Sequence, residues 1–361
     1  MIYGTRLTQA REFALLTQKT LAGDIGVSQT TLSNAERDRY ELPFGALAEF
    51  AAATGFPTGF FQEPPRVIFD GLPTHFRARA GMGAKESNQA KRAGEIITEA
   101  ALVMRDKLVG PPLTIQSCRR GTSPEEAARW TREILGLSPG EPALGLPVLL
   151  EHAGVLVIAL PLPNTRRDAF SLWFEDLPVL ALLDTDAGDR QLWSTAHELG
   201  HAVLHRQAGA SRELEHEADE FAMHLLTPLD SMRRDMPEHP TIQDFALLKR
   251  RWGVSIAALV RTARRLGKID DQRYTSLFKQ MSARGERLRE RVAIAPIKPR
   301  GFRAMAETIY GPHPGEDLAE AALWTPAFAE DVLSRHATGS ELPSRRTTNV
   351  VSLAPLRARR A

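Results

Sequence analysis

Residues 197–201 read His197-Glu198-Leu199-Gly200-His201, an H-E-x-x-H motif inside a proline-free run, 191–205, whose pattern predicts a helix. Two histidines four apart on a helix lie one above the other on the same face. Their ring nitrogens can then reach a single metal ion, typically Zn²⁺. The adjacent Glu198 is placed to take a proton from a water on that ion, as a general base. Leu192, Ala196, Leu199 and Val203 cluster on the far side of the same helix, which gives it a back to pack and a front for chemistry.

Catalytic zinc usually takes three protein ligands and leaves one position open. A second predicted helix downstream, over 213–222, offers the third. Its apolar stripe is Leu214, Ala218, Phe221, Ala222 and Leu225. Glu215 and Asp219 share one face at the border of that stripe, while Glu217, Glu220 and His224 fall on the polar side. Glu215 is therefore expected to lean toward a metal and Glu217 to face water. Asp219, one turn on, is placed to hydrogen-bond a ligand histidine. A solvated acidic helix is the plain alternative. The inward Glu/Asp pair so soon after H-E-x-x-H favours the metal site.

The segments HELGHAVLH (197–205) and EHEADEFAMHLLTP (215–228) resemble the ImmA/IrrE family of bacterial metallopeptidases, over a span of roughly 70–290. The E-x-x-x-D spacing is also similar to that of thermolysin-like zincins. The resemblance implies His197, His201 and Glu215 as ligands of Zn²⁺ or another divalent metal. It implies Glu198 as general base and Asp219 as an orienting residue. It further implies a zinc endopeptidase that cleaves a protein substrate, typically a transcriptional repressor. His205, His216 and His224 are candidates to steady the oxyanion, with a surface position expected for each.

A second motif opens the chain. Helices are expected over 5–16, 18–25 and 29–36, with Thr17 and Ser28 as caps and Gly26 at a tight turn. Two short helices split by a glycine turn make a helix-turn-helix. The run TQKTLAGDIGVSQTTLSNAERDRYELP (17–43) resembles the XRE (Cro/C1-type) repressor domain. In that geometry the third helix enters the major groove of double-stranded DNA, presenting Gln29, Thr30, Ser33 and Asn34 to base edges. Gln18 and Arg37 are expected at phosphates. Charge argues the other way: residues 1–62 hold five basic and six acidic residues, a net of −1, whereas DNA binders usually carry a basic footprint.

The expected architecture is mostly α with a small β-sheet, an α+β fold. An all-α helix-turn-helix domain spans 1–62 and a Pro/Gly-rich linker 63–84, containing His75-Phe76-Arg77-Ala78-Arg79. A zincin-like (gluzincin-type) peptidase domain spans 85–236, a C-terminal helical region 237–333, and a basic tail 334–361 expected to be disordered. Within the peptidase part, 84–109 and 146–152 are predicted helices. Ser123-Pro124 opens another, 155–160 is a buried strand, and 169–174 with 179–184 form a hairpin around 175–178. One hairpin strand, 169–174 or 179–183, is expected to be the cleft edge on which an extended peptide pairs. Trp173 is expected in the core. Helices over 241–250 and 255–266 imitate a second helix-turn-helix, read as structural or substrate-docking.

Composition limits the rest. At 361 residues, 43% hydrophobic and 25% charged with net charge +2, the chain has the make-up of a globular protein of two or three domains. Its single cysteine, Cys118, excludes an internal disulfide framework and a cysteine-based zinc site. The N-terminal MIYGTRLTQAREF has no apolar signal core and no 18-residue apolar run occurs, so neither secretion nor a membrane partner is expected and the cytoplasm is the expected compartment. A homodimer is compatible with the sequence but not fixed by it. The rival reading is a DNA-binding regulator or antitoxin-like protein whose peptidase-like domain only senses or binds a partner.

Overall fold

The computed structural model describes residues 1–72, 83–162, 169–206, 211–285, 290, 292–338 and 351–352. The 75–79 stretch and most of the 334–361 tail, where disorder was expected, lie outside the described residues.

The chain opens with α1 (Gly4–Phe13), α2 (Gln18–Asp24), α3 (Gln29–Ala35), α4 (Phe44–Thr54) and a 3₁₀ turn, Thr58–Phe61. The Thr17 and Ser28 hydroxyls accept the amide protons of Thr20 and Thr31, so α2 and α3 each start on a side-chain cap. Gly26 turns the chain between them at φ +71°, in the left-handed region that glycine enters without steric cost. Residues 63–72 contain no helix or strand, yet Val67 and Phe69 are fully buried.

The long α5 (Ala84–Arg105) ends four residues short of the span expected from sequence, because Leu108–Val109 leave it as a two-residue strand, β1. Next come α6 (Pro124–Ile134), capped by Ser123 with proline in its first turn, and α7 (Leu146–His152). Three strands follow, β2 (Leu156–Ala159), β3 (Ala169–Phe174) and β4 (Leu177–Leu182). The hairpin turn is only Glu175-Asp176, tighter than expected, with Glu175 at φ +54°.

Nine helices of the described residues follow. They are α8 (Gly188–Leu204), α9 (Arg212–Leu226), α10 (Leu229–Asp235), α11 (Ile242–Trp252), α12 (Ile256–Arg265), α13 (Asp271–Ala283), α14 (Gly301–Tyr310), α15 (Gly315–Ala322) and α16 (Pro326–Ser334). A last two-residue strand, β5 (Val351–Ser352), pairs antiparallel with β1.

The sheet order is β2-β4-β3, with β2 parallel and β3 antiparallel to β4. β4 is thus the middle strand, and 179–183 cannot serve as a free edge; of the two expected edges only β3 lies outermost. Side-chain alternation makes this sheet a septum between two apolar cores. Leu156, Ile158, Phe170, Leu172, Val179 and Ala181 face one core, shared with α1–α5 and α14–α16. Val157, Ala169, Leu180 and Leu182 face the other, shared with α6–α9 and α11–α13. The packing therefore groups the helix-turn-helix with the C-terminal helices across most of the sequence. α11–α12, the imitation helix-turn-helix, belong to the core around α8.

α1 is joined to α5 by buried polar contacts as well. Arg6 pairs with Glu99, and Gln9 donates to Glu95 Oε2 at 3.0 Å. Glu95, fully buried, also accepts from Arg92 (2.8 Å) and from the Phe69 amide (2.8 Å), and Arg92 reaches back to Glu12 at 2.7 Å. Each buried charge has partners, which is the condition for tolerating it.

Candidate metal centre and nucleic-acid interface

α8 and α9 cross in close contact, and the motif's own glycine permits it. A Cβ on Gly200 would stand 3.2 Å from the Ala218 Cα and 3.0 Å from the Phe221 ring. With Leu199, Val203, Phe221, Ala222 and Leu225 sealed in the core, the polar faces of the two helices are turned toward each other at one end. Asp189, in the first turn of α8, is held by the buried Lys249 of α11 at 2.7 Å, which fixes that end of the helix against the second core.

His197 and His201 present their Nε2 atoms to each other at 3.1 Å. Glu215 lies 3.3 Å from His201 Nε2 through Oε1 and 3.6 Å from His197 Nε2 through Oε2. A tetrahedral zinc at about 2.0–2.1 Å from each ligand atom holds those atoms roughly 3.3 Å apart. The donor set, two imidazoles and one carboxylate, and its spacing therefore fit such a cation, and among the described residues this is the trio of His, Cys, Asp or Glu that could hold one. Asp219 Oδ1 meets His197 Nδ1 at 2.8 Å, so the sequence-predicted Glu215 and Asp219 do converge on the histidines.

The electrostatics are those of a cation site. Burial disfavours a charged His197, yet Asp219, Glu215 and Glu198 outweigh it and push its pKa up to about 9. Hydrogen bonds to His197 and His201 hold the Glu215 carboxyl well below the usual carboxylate range.

Glu198 is buried, and its carboxylate is met by a residue the sequence had not singled out. Ser171 Oγ lies 2.8 Å from Glu198 Oε2 and 2.9 Å from the Glu198 carbonyl oxygen. Alternation along β3 turns Ser171 toward α8, together with Trp173, whose Nε1 donates to the Ala202 carbonyl at 2.9 Å. Trp173 is a core residue as expected, with the Arg206 guanidinium stacked 4.2 Å from its ring centre. The only sequence signal for Ser171 was a lone polar residue inside an otherwise apolar strand.

The three oxyanion candidates fare differently. His205 is buried, not on the surface, and bonds His201 Nδ1 at 3.0 Å and Glu217 Oε2 at 2.8 Å. Glu217 was expected in water; its side chain is 49% exposed but its carboxylate is used. His224 is buried beside Arg265 (3.3 Å) and Glu220 (3.9 Å), and His216 is exposed. On β3, the strand expected to receive a peptide, Ala169 through Trp173 are each buried.

In the helix-turn-helix, Gln29, Thr30 and Arg37 are exposed, and Ser33 and Asn34 are half-buried. Gln18 is not free for a phosphate in this arrangement, since its Nε2 donates to Glu36 Oε2 at 2.8 Å; the same carboxylate is gripped by Arg11. The unfavourable charge count does not change in three dimensions. Arg6, Arg11, Glu12 and Glu36 are consumed in internal pairs, which leaves Lys19, Arg37 and Arg39 exposed together with Asp24, Asp38, Glu41 and Glu49, so the balance stays at −1.

Comparison with known families bears on both regions. Residues 150–264 match the peptidase M78 family model described as the IrrE N-terminal-like domain. Residues 2–59 match a helix-turn-helix domain model. The chain thus carries one region similar to the IrrE N-terminal-like domain and another similar to a helix-turn-helix domain. The IrrE-like match begins at α7, contains β2 to β4, α8 and α9, and ends within α12, so it is narrower than the 70–290 span of the resemblance. A search of curated proteins finds no match. M78 peptidases are metal-dependent, and the His197–His201–Glu215 cluster lies inside the IrrE-like domain. No helix among the described residues is long and apolar enough to cross a membrane.

Proposed function

We propose that this chain is a divalent-metal endopeptidase, with zinc the first choice, that a helix-turn-helix brings to DNA, and that its substrate is a regulatory protein such as a repressor. The observation that supports it most is the convergence of His197, His201 and Glu215 beside a buried carboxylate, Glu198, that is itself held in place. In this reading His197, His201 and Glu215 hold the metal, which when bound would acidify a water and polarise a substrate carbonyl. Glu198 accepts the proton of the attacking water and delivers it to the leaving amide nitrogen. Ser171 keeps that carboxylate in one orientation during both transfers, and Asp219 fixes the His197 ring.

The test is cleavage of a repressor encoded beside this gene by metal-loaded protein. Glu198→Gln should retain metal and lose cleavage; undiminished cleavage would remove Glu198 as the base. For DNA, Gln29→Ala should weaken a preferred operator by about 1–3 kcal/mol and leave random DNA unaffected, while Arg37→Ala should weaken both and reduce the salt slope by about 1. Equal losses on both DNAs for Gln29→Ala would remove it as a base reader.

A further inference from the structure

The two histidines of the metal cluster are oriented by different means, and only one of the two is direct. Asp219 bonds His197 Nδ1 itself. His201 instead meets a third histidine, His205 Nδ1 at 3.0 Å, and that ring passes on through Nε2 to Glu217 Oε2 at 2.8 Å. We infer that Glu217, acting through His205, is the positioning residue for His201, fixing its ring and its proton for metal binding. The inference rests on the metal-site reading above and assigns work to two residues outside the ligand set.

The protons along this chain follow by elimination. His201 turns Nε2 toward His197 and Glu215, so that atom must be free of hydrogen to bind a cation. A neutral His201 then carries its hydrogen on Nδ1 and donates it to His205 Nδ1. That atom of His205 must be the acceptor, which leaves the His205 hydrogen on Nε2, facing Glu217. A carboxylate only accepts, so the chain ends there with one consistent set of tautomers. His205 is 3% exposed, so bulk water cannot stand in for it. Helix geometry supplies the parts: His205 is one turn beyond His201, and Glu217 is two residues beyond Glu215 on the neighbouring helix. Glu217 is half-exposed, so its removal does not threaten the core.

The experiment measures Zn²⁺ affinity of the full chain by competition with a chromophoric chelator, and the visible spectrum of the Co²⁺-loaded protein. Glu217→Ala is expected to weaken Zn²⁺ binding about 10- to 100-fold and to alter the Co²⁺ bands, with the melting temperature of the metal-free protein unchanged. Glu217→Gln, whose side-chain oxygen still accepts from His205, should restore affinity to within a few-fold of wild type. The double variant His205→Ala/Glu217→Ala should bind no more weakly than His205→Ala, since the two act in series. Wild-type affinity in Glu217→Ala, or additive losses in the double variant, overturns the inference while leaving the metal site standing. Failure of the wild-type chain to take Zn²⁺ or Co²⁺ overturns the metal reading and this inference with it.

Discussion

A serine inside an apolar strand and a histidine one turn beyond a motif are easy to pass over. Ser171 is a single hydroxyl whose partner, Glu198, is 27 residues away, and only the registry of β3 against α8 brings them together. In the general-base reading that partner is a carboxylate, and a hydrogen bond to a charged group is worth about 1.5–3 kcal/mol. Ser171→Ala should therefore lower kcat by about 10- to 100-fold with KM and bound metal unchanged; an unaltered kcat would strip Ser171 of this role. His205 was misplaced from sequence, and its bond to the exposed Glu217 was missed, for a related reason. A helical wheel ranks positions by one helix alone, whereas the angle between α8 and α9 decides which polar positions face each other. His197, His201, Glu198, Glu215 and Asp219 were legible because their spacing is set within single helices. Replacing Glu215 with Ala should strip most bound metal at neutral pH, a larger loss than Glu217→Ala causes. The reverse order would exchange their parts.

Among elements, the contact of α8 with α9 decides whether the site exists, and Gly200 sets its closeness. A methyl group there must push against the Ala218 backbone and the buried Phe221 ring. Overpacking of this kind costs about 1–3 kcal/mol, more than the roughly 1 kcal/mol of helix propensity that alanine returns. Gly200→Ala should lower both the melting temperature and Zn²⁺ affinity; a more stable protein with unchanged affinity would show that the helices have room to spare.

A second elemental contact gives a pH dependence. His336, just after α16, accepts the Ala159 amide proton of β2 at Nε2 and bonds the Val332 carbonyl through Nδ1. Burial, helped by Arg303 and Lys298, holds its pKa down to about 4 from 6.5. The unfolded chain binds this proton more readily, so the contribution is complete above pH 6.5 and is lost as pH falls toward 4, up to about 3 kcal/mol. Buried Glu151, raised to about 7, works in the opposite sense between pH 4.5 and 7. The difference between wild type and His336→Gln isolates the histidine. Chemical denaturation at several pH values should show that difference shrinking as pH drops, and a constant difference would contradict it. Within the expected helical region 237–333 the bounds and partner of α14–α16 were not legible: they are short, and their apolar faces are defined by a core contributed mostly by residues 1–105.

At the scale of the whole molecule, the helix-turn-helix is built into the body of the protein. Phe13 and Phe56 meet Phe328 of α16 with ring centres 5.2 and 5.8 Å apart, and the buried Glu95 ties α1 to α5. Glu95→Ala leaves the Phe69 amide without its acceptor, while Arg92 keeps Glu12 and Asp70 and Gln9 keeps the Val67 carbonyl, and should cost about 1–3 kcal/mol. The helices of the helix-turn-helix should melt in the same calorimetric transition as the rest of that core; a separate early transition for 1–62 would show a loosely tethered domain. The sequence displayed two motifs far apart and suggested independent units, because the shared core joins residues some three hundred positions apart, a pairing that local periodicity does not register.

All of this turns on whether two imidazoles and one carboxylate from α8 and α9 share a single cation. An anomalous difference map from crystals of the Zn²⁺-loaded full chain, recorded at the zinc edge, addresses it directly. The expected result is one strong peak at bonding distance from His197 Nε2, His201 Nε2 and a Glu215 carboxylate oxygen. Glu215 turned outward, or no peak between the two rings, would contradict it.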